Sequence, residues 1–136
     1  MSWTDSLIRI SGYQVEVLQQ RLSEIMDRRE AAEMRLLMLE AEGVAEANNA
    51  RNNAESGWYH LGFMEGLRAR KGAVEVEIAS ITAEEAGARD ALAEAFEEQK
   101  KYEHVAENHR VLARRETARR DTAALDELGL RRASGR

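Results

Sequence analysis

The chain has 136 residues, a formal net charge of −5, no proline and no cysteine. Charged residues make up 33% of it and aromatic residues only 5%, a composition typical of long helices or coiled coils. The lack of cysteine excludes disulfides and thiolate metal sites, and the negative charge argues against nonspecific nucleic-acid binding. No secretory leader and no apolar run of about 20 residues is visible, so we expect a cytoplasmic chain without direct membrane insertion.

Residues 51–57 are expected to be the bend of a helical hairpin. Asparagine, serine and glycine cluster here, and these residues favour turns over helix interiors. The sequence therefore predicts one domain over residues 1–136, with a first helix over about 4–50 and a second over about 58–129. Ser2 or Thr4 is expected to cap the first helix. A single kinked helix is the alternative, because no proline enforces a stop.

In the first helix, residues at steps of four and three form an apolar stripe: Leu18, Leu22, Ile25, Arg29, Ala32, Leu36 and Leu39. This spacing predicts a coiled-coil seam. Arg29 is its charged member, which either snorkels to solvent or pairs with a carboxylate of the facing helix. Towards the N-terminus the stripe is less regular, and we expect it to run through Trp3, Leu7, Ile10, Gln14 and Val17.

The second helix shows a similar stripe: Phe63, Leu67, Val74, Ile78, Ile81, Ala88, Leu92 and Phe96. Glu85 interrupts it, and the steps from Leu92 to Phe96 to Gln99 indicate a small phase slip. The predicted fold is thus all-α, an antiparallel coiled-coil hairpin with the longer helix second. The excess length projects from the hairpin, and residues 100–136 within it carry 10 basic and 6 acidic side chains.

No arrangement of residues predicts catalysis, a metal site or a cofactor. His104 and His109 are five residues apart, which misses the spacing that places two ligands on one helical face. Neither a glycine-rich phosphate loop nor a G-x-S-x-G motif is present. The sequence therefore predicts a protein that is not an enzyme.

Two surfaces are candidates for binding partners. The first is the aromatic and aliphatic cluster after the bend, formed by Trp58, Tyr59, Phe63 and Leu67. A two-helix hairpin has little depth, so these side chains either dock a partner or only cover the end of the seam. The second is the arginine group Arg110, Arg114, Arg115, Arg119 and Arg120, which is either a solvated face or a site for an acidic surface.

The chain resembles a known family, the FliJ proteins of the bacterial flagellar export apparatus, and is most similar in character to the short alphaproteobacterial members. The resemblance rests on the unequal hairpin, on Phe63 and Leu67 after the bend, on LAEAFEEQKKYE over residues 92–103, and on LDELGLRR over residues 125–132. It covers nearly the whole chain.

This resemblance implies a stalk-like, non-enzymatic role in type III protein export. Family members enter the ring of the export ATPase, contact the cytoplasmic domain of the export gate and, in some cases, bind an export chaperone. By resemblance, the cluster containing Phe63 and Leu67 would face the gate. The end with both termini would face the ATPase through Trp3, Leu7, Ile10 and the arginine group.

The family likeness also implies a position at the cytoplasmic face of the inner membrane, held there through partners. Two alternatives belong to other classes. One is a self-associating coiled-coil scaffold, and the other is a helical module that binds RNA or a membrane surface through residues 100–136. The latter is disfavoured, since this segment lacks interleaved aromatics and a strong apolar face.

Overall fold

A computed structural model describes residues 2–52 and 56–135 of the chain. It contains two α-helices that pack against each other, α1 over Trp3–Asn52 and α2 over Ser56–Ser134, with 50 and 79 residues. The prediction of an all-α helical hairpin with the longer helix second is confirmed. Within the described ranges, neither helix is long and apolar enough to cross a membrane.

The helix ends differ from the expected ones. Helix α1 continues to Asn52 and α2 already begins at Ser56, so only residues 53–55 of the predicted bend separate them, and these lie outside the described residues. At the other end, α2 continues through Gly129, where a helix end was expected. A single glycine costs a helix only about 1 kcal/mol, and the ion pair between Arg131 and Glu127 at 3.0 Å supports the following turn.

Ser2 caps α1. Its Oγ accepts a hydrogen bond from the backbone N–H of Asp5 at 3.3 Å, which satisfies one of the free donors at a helix start. Asp5 also places a negative charge in the first turn, where the helix dipole favours it. Of the two expected caps, Thr4 instead is buried, and its Oγ1 lies 2.7 Å from Ser2 Oγ.

The chain divides into two packing units, and the larger comprises Glu16–Ala93. Its helices are antiparallel, as three ion pairs show: Arg28–Glu84, Arg35–Glu77 and Glu42–Arg70, at 3.0, 2.7 and 3.6 Å. Each advance of seven residues along α1 is matched by seven residues backwards along α2. This unit therefore keeps one heptad register across these pairs.

The core of this unit is a narrow seam centred on Ile25, Ala32 and Ile81, against which Ile78 and Ala88 pack. The predicted α1 seam from Leu18 to Leu39 is confirmed, because each of its seven members is buried or half-buried. Arg29 takes the second of its two predicted roles and pairs with Glu85 of α2. The interruption expected at Glu85 is thus a buried charged position of the seam.

The smaller unit comprises Met1–Val15 with Glu94–Arg136. Here the expected stripe through Trp3 and Ile10 is wrong, since these side chains are 59% and 64% exposed. The buried positions of α1 are Thr4, Ser11 and Val15. Small and medium-sized side chains therefore fill this part of the seam.

The expected phase slip in α2 is also wrong. Ala95 is buried, whereas Phe96 is 38% exposed, and the next buried position is Ala106. Ala95, Gln99, Tyr102 and Ala106 keep steps of four, three and four, so the heptad spacing continues. After Ala106, only Val111 and Glu116 are even half-buried among the described residues of α2.

Candidate partner-binding surfaces

The first turns of α2 carry a group of exposed aromatic side chains. Trp58 is 79% exposed and Tyr59 67%, and their rings meet edge to face with centroids 4.9 Å apart. This geometry is favourable for an aromatic pair. Together with Leu61, which is 75% exposed, they form what we call the aromatic surface.

Phe63 and Leu67 differ from these rings in burial. Phe63 is half-buried and lies under the guanidinium of Arg70, 6.0 Å from the ring centroid. Leu67 is only 2% exposed and packs towards Gly43 of α1. Leu67 is therefore a seam residue and offers almost no surface of its own to a partner.

At the other candidate surface, the rings of Trp3 and His109 meet edge to face at 6.1 Å. Leu7 is half-buried and Ile10 is exposed. The structure thus brings α1 residues together with the α2 segment that precedes the arginine group. We call Trp3, Leu7, Ile10 and the five arginines the terminal surface.

The arginine group is exposed, and its charge is partly neutralised by glutamates of the same helix. Glu107 pairs with both Arg110 and Arg114, at 3.8 and 3.3 Å. Glu116 pairs in the same way with Arg119 and Arg120, at 2.8 and 3.4 Å. Exposed ion pairs of this kind contribute little stability, so a partner carboxylate can replace either glutamate at small cost.

Arg115 stands apart in this group, as it makes no ion pair with any residue that the structure describes. Its charge is the least compensated of the five. Across residues 2–52 and 56–135, no group of three or more histidine or carboxylate side chains is arranged to hold a metal ion. The chemistry available at both surfaces is that of recognition by apolar contact and charge.

Comparison with known proteins assigns the chain to a family. It is 52% identical over 132 residues to the flagellar FliJ proteins of two Caulobacter vibrioides strains, NA1000/CB15N and ATCC 19089/CIP 103742/CB 15. The alignments cover 97% of this chain and 95% of each relative. The chain belongs to the FliJ family. No family model matches it, and no solved structure does.

Membership of the FliJ family confirms the resemblance identified from the sequence. The FliJ chain also has exposed apolar residues that sequence reasoning missed. On α1 they are Met34, Leu37, Met38 and Val44, each more than half exposed. The signal was available, since Leu37 and Met38 lie three and four residues after Met34, and Val44 lies seven residues after Leu37.

Proposed function

We propose that this FliJ-family chain is a non-catalytic coupling component of the flagellar type III export apparatus, which bridges the export ATPase ring and the export gate. Family membership over 97% of the chain carries the proposal. Two exposed recognition surfaces of different chemistry support it, one aromatic and the other cationic.

In this proposal the aromatic surface binds the cytoplasmic domain of the gate. Trp58 and Tyr59 are large, exposed and in edge-to-face contact. Tryptophan and tyrosine are among the residues that most often dominate binding energy at interfaces. Phe63 contributes its half-buried ring, and the buried Leu67 packs against α1 nearby in the same helix.

The terminal surface binds the ATPase ring. Arg115 and its neighbours present exposed guanidinium groups, which suit acidic side chains and main-chain carbonyls of a partner. Trp3, Leu7 and Ile10 add apolar contact from α1, with Trp3 packed against His109 just before the arginine group. The partner's nucleotide hydrolysis supplies the energy, and this chain couples it to opening of the gate. It is held at the cytoplasmic face of the inner membrane through these partners, and an export chaperone is a further partner.

Gate binding is tested by titrating the gate's cytoplasmic domain with the full chain by calorimetry. The variant Trp58→Ala/Tyr59→Ala should weaken binding by at least about tenfold, as expected for loss of two exposed aromatic anchors. The matched control Val76→Ala removes a side chain that is 71% exposed elsewhere on α2 and should leave affinity unchanged. Equal affinity of both variants would contradict the assignment.

The ATPase assignment is tested with Arg115→Glu, since this arginine has no ion pair to lose within the described chain. We expect weaker, more salt-sensitive binding and reduced stimulation of ATP hydrolysis. The control is Arg68→Glu, which reverses an exposed charge in the part of α2 that belongs to the larger unit. The proposal would be overturned if the wild-type chain bound neither partner and left the rate of ATP hydrolysis unchanged.

A further inference from the structure

Helix α1 carries a second apolar face on the side away from α2. Its large members, Met34, Leu37, Met38 and Val44, are 57–63% exposed, and Ala31, Ala41 and Ala45 lie exposed between them. The seam residues Ala32, Leu36 and Leu39 are turned towards α2. At about 100° per residue, Met34, Ala41 and Ala45 lie opposite Ala32 and Leu36. Met38 lies at the border of this set, where it also lines a groove with Ala73 and Val74 of α2. We call this set the α1 outer face.

A helix that is apolar on opposite sides normally has partners on both. In the unit Glu16–Ala93, α2 covers only one side of α1, and the outer face meets solvent. Two of its members are methionines, whose flexible side chains adapt well to a partner. The outer face is a contiguous apolar patch that needs an occupant.

We propose that the occupant is the same face of a second copy of this chain, with the two α1 helices antiparallel about a two-fold axis between Leu39 and Glu40. Ala31, Met34, Met38, Ala41 and Ala45 occupy steps of three, four, three and four residues, the spacing of a coiled-coil seam. In this register Met34 lies opposite Ala45 of the second copy, and Met38 lies opposite Ala41.

Large and small side chains therefore alternate across the contact, which allows close packing. At its side, Leu37 lies opposite Val44 of the second copy, so the apolar contact widens there. Parallel pairing would instead place Met34 on Met34 and Ala41 on Ala41, and would set Leu37 against the carboxylate of Glu42. Packing thus favours the antiparallel arrangement.

Charges beside the face point to the same arrangement. Arg35 lies opposite Glu42 of the second copy, and Glu30 lies opposite Arg51. By the two-fold symmetry each pair occurs twice. The side chains of Arg35 and Glu42 are 52% and 51% exposed, so they can make this contact while keeping their pairs with Glu77 and Arg70 in their own chain.

The contact is small. From Glu30 to Arg51 the helix is about 33 Å long, and two single helices in contact over this length bury less than the roughly 1,200 Å² of a standard stable interface. We therefore expect a reversible dimer whose population rises with protein concentration. The inference does not depend on the proposed function, because neither the aromatic nor the terminal surface takes part.

The dimer is tested by sedimentation velocity of the full chain over a hundredfold range of concentration, from about 5 to about 500 μM. The sedimentation coefficient should rise with concentration. Met38→Glu places a charge in the centre of the contact and should lower the association constant at least about tenfold. Val76→Glu introduces the same charge at an exposed apolar site of α2 and should have no effect.

Charge exchange tests the pairing itself. Glu30→Arg alone and Arg51→Glu alone each create like-charged pairs across the two-fold axis and should weaken association. The double variant Glu30→Arg/Arg51→Glu restores opposite charges and should recover it. Circular dichroism of each variant checks that the helices are intact.

Register is tested by disulfide trapping, for which the chain is suited because it has no cysteine. A mixture of Met38→Cys and Ala41→Cys chains should form a mixed disulfide faster than Met38→Cys alone forms a symmetric one. Faster symmetric crosslinking of Met38→Cys would show parallel pairing and overturn the proposal. A sedimentation coefficient that does not change with concentration would overturn it as well.

Discussion

The guanidinium of Arg29 lies against the carboxylate of Glu85 at seam positions of the two facing helices. Nε of Arg29 is 2.9 Å from Oε2 of Glu85, a charge contact outside hydrogen-bond geometry, and Nη2 donates a hydrogen bond to Oε1 at 3.4 Å. Glu85 also accepts a hydrogen bond from Arg89 at 3.1 Å, and Arg29 donates another to Glu33 at 3.0 Å. Glu85 is only 8% exposed, so a charged layer interrupts the apolar seam of the larger unit.

Removing one member of this layer should destabilise the hairpin more than removing both. In Glu85→Ala the guanidinium of Arg29 loses its buried partner, whereas Arg29→Leu/Glu85→Leu replaces the layer by apolar side chains. We expect the thermal midpoint to fall clearly in the single variant and to return to near or above the wild-type value in the double variant. Thermal unfolding followed by circular dichroism measures both. A single variant as stable as the wild type would show that the layer contributes nothing.

Stability should fall in acid, in part through Glu85 and Glu77. Burial raises the pKa of Glu85, but hydrogen bonds from Arg89 and Arg29 more than offset it, so the pKa lies below its usual 4.5. The hydrogen bond from Arg35 lowers the pKa of Glu77 in the same way.

Because the folded-state pKa of both groups lies below the unfolded value, the unfolded chain binds protons first as the pH falls. Their contribution is complete above the unfolded value and is lost as the pH drops through the folded one. Melting curves between about pH 7 and pH 3 test this. The difference in thermal midpoint between wild type and Glu77→Gln/Glu85→Gln should shrink over that range, and a constant difference would contradict the assignment.

Stability of the larger unit should depend on few side chains. Ile81 is 3% exposed and belongs to the central cluster with Ile25 and Ala32. Ile81→Ala should cost about 2–5 kcal/mol, through lost burial and an unfilled cavity. Val76→Ala, at a 71% exposed position of the same helix, should change stability by no more than about 0.5 kcal/mol. Urea unfolding at equilibrium distinguishes them, and similar losses would mean that the seam is not the core.

Two glycines of α1 should respond oppositely to alanine. A Cβ added at Gly12 would lie 3.5 Å from Nε2 of Gln99, an ordinary contact. Gly12→Ala should therefore stabilise the chain by about 0.5–1 kcal/mol through better helix propensity.

At Gly43, by contrast, the added Cβ would lie 2.8 Å from Cδ2 of Leu67, and Leu67 is 2% exposed with little room to move. Gly43→Ala should gain less than Gly12→Ala or lose stability. Thermal midpoints of the two variants provide the comparison. A larger gain at Gly43 would show that Leu67 repacks freely.

Hydrophobic periodicity predicted the helices. It also predicted the α1 seam, because the large apolar residues of α1 from Leu18 to Leu39 follow one spacing. Near the N-terminus the same reasoning followed Trp3 and Ile10, although the seam there is built from Thr4 and Ser11. In α2 it chose the large Phe96 over its small neighbour Ala95. In both places the large side chain was chosen, whereas the structure buries a small one at the position that keeps the heptad spacing.

The candidate surfaces were only partly predictable. The sequence grouped Leu67 with Trp58, but burial separates them, since Leu67 fills the space beside Gly43. Sequence reasoning also treated the arginine group as uniform, while Glu107 and Glu116 leave Arg115 as its least compensated charge. Such differences depend on side-chain contacts that spacing alone does not show.

The side chains of the C-terminal part of α2 pair mostly within the same helix, through pairs such as Arg114–Glu107, Arg119–Glu116 and Arg131–Glu127. Electrolyte weakens exposed pairs of this kind, since the Debye length is about 8 Å at physiological ionic strength. How strongly these arginines are held by their own glutamates therefore changes with salt. Binding rates measured for this segment are comparable only at the same ionic strength.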